Sequence, residues 1–283
     1  MKEKIRIMSI VIFTLLLTAC GTKTPVKTAM EQNADEIAEV CFDDESDDMK
    51  EYLKSLSVSD AGTVEVYGMT FSLDTVILDI NTGLGYAKMS IKSDTVDLTK
   101  LEYTPDTINY PISTEDFKIQ ILFRQLNIDE NSITHKEKLD IINSNEATFI
   151  FCIQDQNAPS QQGSLYQIQV VTDDVHEHKD IDIQQINNSI IIDVDGLDCY
   201  ISPFGLVLKL NEPGKILDSA KNIKLKMKNN EEFIIRKDGV NMHDNYYGTN
   251  QFIFKYTIVF HKHININDVK SLVIDDKEYL YEN

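Results

Sequence analysis

The sequence predicts an all-β protein made of two tandem β-sandwich domains, preceded by an N-terminal segment of different character. Three observations indicate this fold. Apolar residues alternate with a period of two from Thr63 onward, the apolar runs are short and bounded by Asn, Asp, Gly, Pro or Ser, and no long amphipathic helix separates one run from the next. Strands without intervening helices favour antiparallel sheets over parallel βαβ units.

Residues 1–19 have the composition of an export signal. Lys2, Lys4 and Arg6 precede an apolar run from Ile7 to Ala19. As a helix this run would cover only ~20 Å of a hydrocarbon core ~30 Å thick. The segment is therefore predicted to direct export and not to span the membrane.

The apolar run closes as Leu17-Thr18-Ala19-Cys20, which resembles the bacterial lipobox. The resemblance implies cleavage before Cys20 and lipidation of that cysteine. Acyl chains would then hold the mature protein at the outer face of the cytoplasmic membrane. A plain secreted protein with a chance cysteine is the alternative.

Charge limits the partners that the chain can bind. Removing residues 1–19 takes away three basic residues and one acidic residue, and changes the formal charge from −19 to −21. A chain this acidic lacks the basic surface that phosphates require, so no nucleic-acid partner is expected. Residues 20–60 are predicted to be the lipidated cysteine and an acidic tether, because the run Asp43 to Asp48 suits a solvated spacer. Within it, Ala34 to Val40 and Met49 to Leu56 carry good helix formers.

The first domain is predicted over residues 61–180. Its strands begin with "TVEVYGMTFSLDTVILDI", which is broken at Gly68, and "GLGYAKMSIKSD". The runs "DFKIQILFRQL", "EATFIFCIQD" and "SLYQIQVVTDD" follow. The polar stretch Asp173 to Gln185 is predicted to join this domain to the next.

The second domain is predicted over residues 181–283. It starts with "NNSIIIDVDGLDCYISPFGLVLKL" and ends with "NQFIFKYTIVF" and "VKSLVIDDKEYLYEN". Between them, "NIKLKMKNNEEFIIRKDG" is typical of a hairpin. In this hairpin Ile223, Leu225 and Met227 should face the core, and Asn229-Asn230 should form the turn.

Three segments extend the resemblance beyond the lipobox: "GMTFSLDTVILDINTGLGYAKMSIKSD", "LDCYISPFGLVLKL" and "IDDKEYLYEN". They are similar to the paired immunoglobulin-like β-sandwich domains of Gram-positive lipoproteins and of the extracytoplasmic region of membrane-bound anti-sigma-factor-like proteins. A Ser-Pro step, here Ser202-Pro203, and a final strand, here Val269 to Tyr279, also match that pattern. The resemblance implies an immunoglobulin-like fold and an extracytoplasmic location, and it brings no catalytic residues.

Two His-x-His pairs are the candidate metal ligands. His176 and His178 lie in "VHEHKD", and His261 and His263 lie in "FHKHIN". Residues i and i+2 of a strand share a face, so two neighbouring strands could present four imidazoles to zinc or copper. Exposed histidines among charged residues are the alternative interpretation, and no cofactor is predicted.

Other side-chain chemistry is sparse. Tyr246 and Tyr247, in the loop-like "NMHDNYYGTNQ", are the candidate ligand-binding aromatics in a chain without tryptophan. Cys152 and Cys199 could form a disulfide or remain buried thiols. No nucleophile elbow, metalloprotease motif or phosphate-binding loop is found.

The sequence therefore predicts a non-enzymatic lipoprotein that binds or adheres at the cell envelope. Its expected partners are the membrane, through lipidated Cys20, and a protein or glycan of the envelope. One alternative is an extracytoplasmic sensor module that acts with a membrane regulatory protein. Another is a metal-dependent enzyme that uses the His-x-His pairs, and a purely structural spacer is the last.

Overall fold

The computed structural model of the chain describes residues 27–104, 110–123, 136–155, 158, 166–210, 219–249 and 254–282. In these residues four antiparallel sheets account for most of the ordered backbone, and only two α-helices accompany them. The predicted all-β class is confirmed. No helix in this part of the chain is both long and apolar enough to cross a membrane.

Ten strands form the first pair of sheets: β1 (Val58–Val66), β2 (Met69–Leu78), β3 (Leu84–Ser93), β4 (Glu102–Tyr103), β5 (Ile112–Ser113), β6 (Lys118–Ile121), β7 (Lys138–Asn143), β8 (Glu146–Gln154), β9 (Gln167–Val171) and β10 (His176–Asp180). One sheet has the order β1-β2-β3-β8-β7, and the other has the order β10-β9-β6-β5-β4. Apolar side chains of both sheets, including Phe71, Phe149 and Ile168, form one buried core between them.

Ten further strands form the second pair of sheets: β11 (Ile190–Val194), β12 (Leu197–Ser202), β13 (Gly205–Leu210), β14 (Ile223–Met227), β15 (Glu232–Lys237), β16 (Val240–Asn241), β17 (Asp244–Thr249), β18 (Phe254–Val259), β19 (Val269–Ile274) and β20 (Lys277–Leu280). Their orders are β11-β12-β13-β18-β17 and β16-β15-β14-β19-β20. A second core, which includes Ile201, Leu225 and Leu272, lies between them.

The two pairs of sheets repeat one arrangement. Each pair has ten strands, and the sheet that contains the first of them has the same strand order in both pairs: first, second, third, eighth and seventh. The first hairpin also turns in the same way, since Tyr67-Gly68 and Asp195-Gly196 all have positive φ. The second sheets of the two pairs differ. In the first pair β9 is hydrogen-bonded to β6, the last strand of the meander β4-β5-β6. In the second pair β19 is hydrogen-bonded to β14, the first strand of the meander β14-β15-β16.

The segment before β1 is helical and packed, which corrects the predicted solvated tether. Helix α1 (Ala29–Cys41) starts at a capping box formed by Thr28, and helix α2 (Asp47–Lys54) starts at Ser46. The apolar residues Ile37, Phe42 and Leu53 are buried. In the acidic run, Asp43, Asp44, Asp47 and Asp48 are exposed and the side chain of Glu45 is buried, and the apolar residues on either side give the segment a face to bury.

Helix α1 also explains why β3 is buried on both faces. The sequence pattern predicts one polar face for this strand, and Lys88 lies on it. In the structure α1 packs on β2 and β3, so Lys88 is only 6% exposed, donates to Asn33 at 2.8 Å and pairs with Glu36 at 2.7 Å. The lysine remains satisfied because its ammonium reaches polar groups on the covering helix.

The connection between the two pairs of sheets is short. The predicted joining stretch, Asp173 to Gln185, contains strand β10, which belongs to the first pair. Ile183 still packs on the first core, and Ile190 is the first residue in the chain that belongs to the second core. Between them Ile186 forms an isolated parallel bridge with Asp79, which ties the connection to the end of β2.

Candidate functional site

Four loops at one end of the first pair of sheets surround a cleft of about 620 Å³, here called the acidic cleft. They are the β1–β2 turn at Tyr67 and residues 95–100, 114–117 and 172–174. The volume lies within the usual range for small-ligand pockets. The sheets thus bring together loops that are distant in sequence.

Local hydrogen bonds fix the shape of these loops. The side chain of Asp97 accepts from the backbone N–H and the hydroxyl of Thr99 at 3.1 and 2.6 Å. These hydrogen bonds lower the pKa of the Asp97 carboxyl. The hydroxyl of Thr114 accepts from two backbone N–H groups, at Asp116 and Phe117, and the hydroxyl of Thr172 does the same two and three residues further on. The cleft is therefore held by its own turns before any ligand arrives.

The lining is strongly acidic. Besides Asp97 it carries the exposed carboxylates of Glu115, Asp116, Asp173 and Asp174, and one basic residue, Lys100. Among the residues that the structure describes, none of those four carboxylates has an ion-pair partner. They are thus available for a positively charged ligand.

Two aromatic residues line the same cleft. The ring of Tyr67 is partly exposed, and its centroid lies 6.0 Å from that of the buried Phe117. An aromatic face beside carboxylates suits an organic cation, whose charge and alkyl part could be contacted together. Sequence reasoning missed this site, and the only signal in the chain was that turn sequences rich in Asp, Glu and Thr follow several strands.

The structure does not bring the four candidate histidines together as a metal site. His176 and His178 are exposed on β10, with ring centroids 6.0 Å apart, and His176 contacts the side chain of Gln169. His261 and His263 follow β18 in the second pair of sheets. Across the described residues, no group of three or more His, Cys, Asp or Glu side chains could hold a metal ion.

His263 instead belongs to a buried polar chain. Its backbone N–H donates to Glu45 Oε1 at 2.7 Å, and its Nδ1 lies 3.0 Å from the same oxygen. Its Nε2 lies 2.8 Å from the hydroxyl of Tyr86. Burial opposes ionisation of Glu45, but the hydrogen bonds from His263 prevail and lower the pKa of the carboxyl. Burial raises the pKa of Tyr86.

Two other charged side chains are buried where the two pairs of sheets meet. Lys255 on β18 donates to the carbonyls of Asp155 and Ala158 at 3.0 and 2.8 Å, and burial lowers its pKa to about 8. Asp79 accepts from the backbone N–H groups of Thr82 and Asn188, and burial raises its pKa. Both residues therefore connect segments of different parts of the fold.

Several predicted residues have no described side-chain environment. Leu17, Thr18, Ala19 and Cys20 lie outside the described residues. Tyr246 and Tyr247 form part of strand β17 and not of a loop, and their side chains also lie outside the description.

The cysteines that the structure describes form no disulfide. Cys152 and Cys199 are buried in separate clusters, so the possible bond between them is not made, and Cys41 is a thiol as well.

Comparison with known proteins identifies no family. No family model matches the chain, and no curated protein matches it. A search of solved structures found "the crystal structure of the conserved domain protein from Bacillus anthracis", which is 13% identical with a TM-score of 0.34 and covers 78% of this chain and 77% of that one.

Proposed function

We propose that the protein is a non-enzymatic binding protein of the cell envelope, anchored to the outer face of the cytoplasmic membrane through lipidated Cys20. Its ligand is positively charged and binds in the acidic cleft. The observation that carries this proposal is the set of four carboxylates that have no ion-pair partner among the described residues and lie on hydrogen-bonded turns around a cleft with aromatic walls.

The charge of the whole chain supports the same ligand class. A formal charge of −19 attracts cations from a distance and repels anions such as nucleic acids. The cleft adds short-range contacts at one place on that surface. A basic peptide segment or an amine-bearing envelope polymer has the required chemistry.

Calorimetric titration of hexalysine into the chain that starts at Cys20, at low and at high salt, tests whether the cleft binds a cationic ligand. Replacing Asp173 and Asp174 together by asparagine should weaken binding roughly twofold to thirtyfold, because each exposed ion pair contributes about 0.2–1 kcal/mol. The matched control replaces Glu65 by glutamine and Asp276 by asparagine, which are exposed acidic residues outside the cleft. Equal weakening in both variants would mean that only net charge is recognised.

Membrane fractionation tests the anchor separately. Cys20→Ala should release the protein from membranes of the producing cells, because no acyl chain can then be attached. Retention of this variant in the membrane fraction would contradict the proposed anchoring and would leave the binding experiment unaffected.

A further inference from the structure

Residues 27–57, here called the strap, contact both pairs of sheets at once. Ile37, Phe42 and Leu53 of the strap lie in a buried cluster with residues of both pairs. The first pair contributes Ile77, Leu84, Tyr86, Ile150 and Cys152, and the second contributes Phe204 and Val259. This cluster is separate from the two sandwich cores, so it exists only while the strap and both pairs of sheets are in place.

The polar centre of this cluster uses one group from each of the three parts. Glu45 comes from the strap, Tyr86 from the first pair of sheets and His263 from the second. The side chains of Glu45 and His263 are each only 6% exposed. A carboxylate can only accept hydrogen bonds, so Nδ1 of His263 donates to Glu45, and Nε2 faces the hydroxyl of Tyr86. The imidazole thus satisfies two partners that the sequence places far apart.

Aromatic rings enclose these hydrogen bonds. Phe42 of the strap lies edge-on to Tyr86 and His263, with centroid distances of 4.9 and 5.0 Å. Phe204 is also edge-on to these two rings, with centroid distances of 5.6 and 5.7 Å. Because water is excluded, loss of one polar partner would leave the others buried and unsatisfied.

The strap also contacts the connection between the pairs of sheets and the chain just before β7. The hydroxyl of Tyr52 accepts from the side chain of Asn188 at 3.2 Å. Asp43 forms an ion pair with Lys136, just before β7. These contacts add the connection and the first pair of sheets to the partners of the strap, which reaches the second pair through the buried cluster.

We propose that the strap sets the orientation of the second pair of sheets relative to the first, and that Glu45, His263 and Tyr86 form the latch that closes it. With the latch broken, each pair of sheets keeps its own core, and the joint is held by fewer contacts, among them those of Lys255 with Asp155 and Ala158, so that it moves more. The N-terminal segment therefore controls the relative placement of the two halves of the protein, one of which carries the acidic cleft.

Pulsed electron paramagnetic resonance on the full chain measures this orientation directly. One spin label is attached at Asp94→Cys in the first pair of sheets and one at Asp276→Cys in the second, both exposed positions, in a Cys20→Ala, Cys41→Ala background. The parent protein should give one narrow distance distribution. Glu45→Ala and His263→Ala should each give a roughly twofold broader or a shifted distribution, since relative motion is the default once a joint is weakened.

Controls separate loss of the latch from loss of folding. Glu39→Ala removes an exposed carboxylate of the strap outside the latch, and should leave the distribution narrow. A label pair at Asp94→Cys and Asp116→Cys, within the first pair of sheets, should stay narrow in every variant. If an alanine variant does not fold, Tyr86→Phe, which removes a single hydroxyl, takes its place and should still broaden the distribution. An unchanged distribution between the pairs in folded latch variants would overturn the proposal.

Discussion

Replacing Asp79 by alanine should lower the free energy of unfolding by about 3 kcal/mol. The Asp79 side chain is fully buried, and it accepts from the backbone N–H groups of Asn81, Thr82 and Asn188 at 3.1, 2.8 and 2.9 Å. A buried donor without a partner costs roughly 1–3 kcal/mol, so the buried N–H of Thr82 costs about 2 kcal/mol and the part-buried N–H groups of Asn81 and Asn188 about 1 kcal/mol each, which makes about 4 kcal/mol. Removing the buried carboxylate returns part of this, about 1–2 kcal/mol, since burial already disfavours its charge.

The asparagine variant refines the same expectation. Asp79→Asn keeps an oxygen toward Asn81 and Thr82, but places an NH₂ group opposite the N–H of Asn188. We therefore expect a smaller loss than for alanine, about 1–2 kcal/mol, from one donor facing another. The order of stability should be Asp, then Asn, then Ala at this position.

Urea unfolding followed by circular dichroism measures both losses, provided that the slope of the transition is unchanged. Asp193→Ala is the matched control, because Asp193 also accepts a backbone N–H, that of Gly196 at 3.0 Å, but is exposed. Water can replace it there, so its removal should cost about 0.5–1 kcal/mol. Equal losses for Asp79→Ala and Asp193→Ala, or a larger loss for Asp79→Asn than for Asp79→Ala, would refute the reasoning.

Three further predictions concern other buried features. Lys255 has a folded pKa of about 8 against 10.5 for a free lysine, so the folded state binds fewer protons between these values and the free energy of unfolding should rise with pH across that window. Urea titrations at several pH values should show this rise in the parent and not in Lys255→Met. The thiols of Cys152 and Cys199 should not react with a disulfide reagent until the chain is unfolded, because both are buried and burial raises the pKa of Cys199 to about 12. Fast labelling of these two thiols in the native protein would contradict this prediction. Gly85→Ala should prevent stable folding, since its Cβ would lie 1.9 Å from the carbonyl oxygen of Ile77. Gly196→Ala has open space around its Cβ and should cost only about 1 kcal/mol, because of the positive φ of this residue. Melting temperatures of the soluble variants measure both effects.

Local patterns in the sequence were sufficient to predict most of the longer strands, such as β2, β3, β8 and β13, but not β7, β10 or β17. In the predicted hairpin, Ile223 and Leu225 are buried, Lys226 pairs in register with Glu232, and Asn230 has the positive φ of the turn. Side-chain period and turn chemistry decide such a hairpin within about fifteen residues of chain. No distant partner is needed to specify it.

The strap could not be predicted in the same way, because its burial depends on distant partners. Its composition is acidic, and four of its five carboxylates from Asp43 to Asp48 are exposed, the exception being Glu45. What buries Phe42 is a surface made by Tyr86 and by Phe204 and His263 of the second pair of sheets. No periodicity in residues 27–57 reveals that surface. The role of His263 was missed for the same reason, since its partners are not neighbours in sequence.

The difference between the two otherwise similar pairs of sheets explains why the acidic cleft forms in the first. There β6 pairs with β9, so the turn before β6 lies beside the turn after β9, and both line the cleft. In the second pair the strand beside β19 is β14, and the chain that leads into it occupies the corresponding position.

The carboxylate at that position is used differently as a result. Asp275, in the turn after β19, accepts from the backbone N–H groups of Lys221 and Asn222 at 2.8 and 2.9 Å. Asp173 and Asp174, in the turn after β9, have no such partner among the described residues. One change in strand order therefore decides whether a turn carboxylate caps the backbone of its own chain or remains available to a ligand.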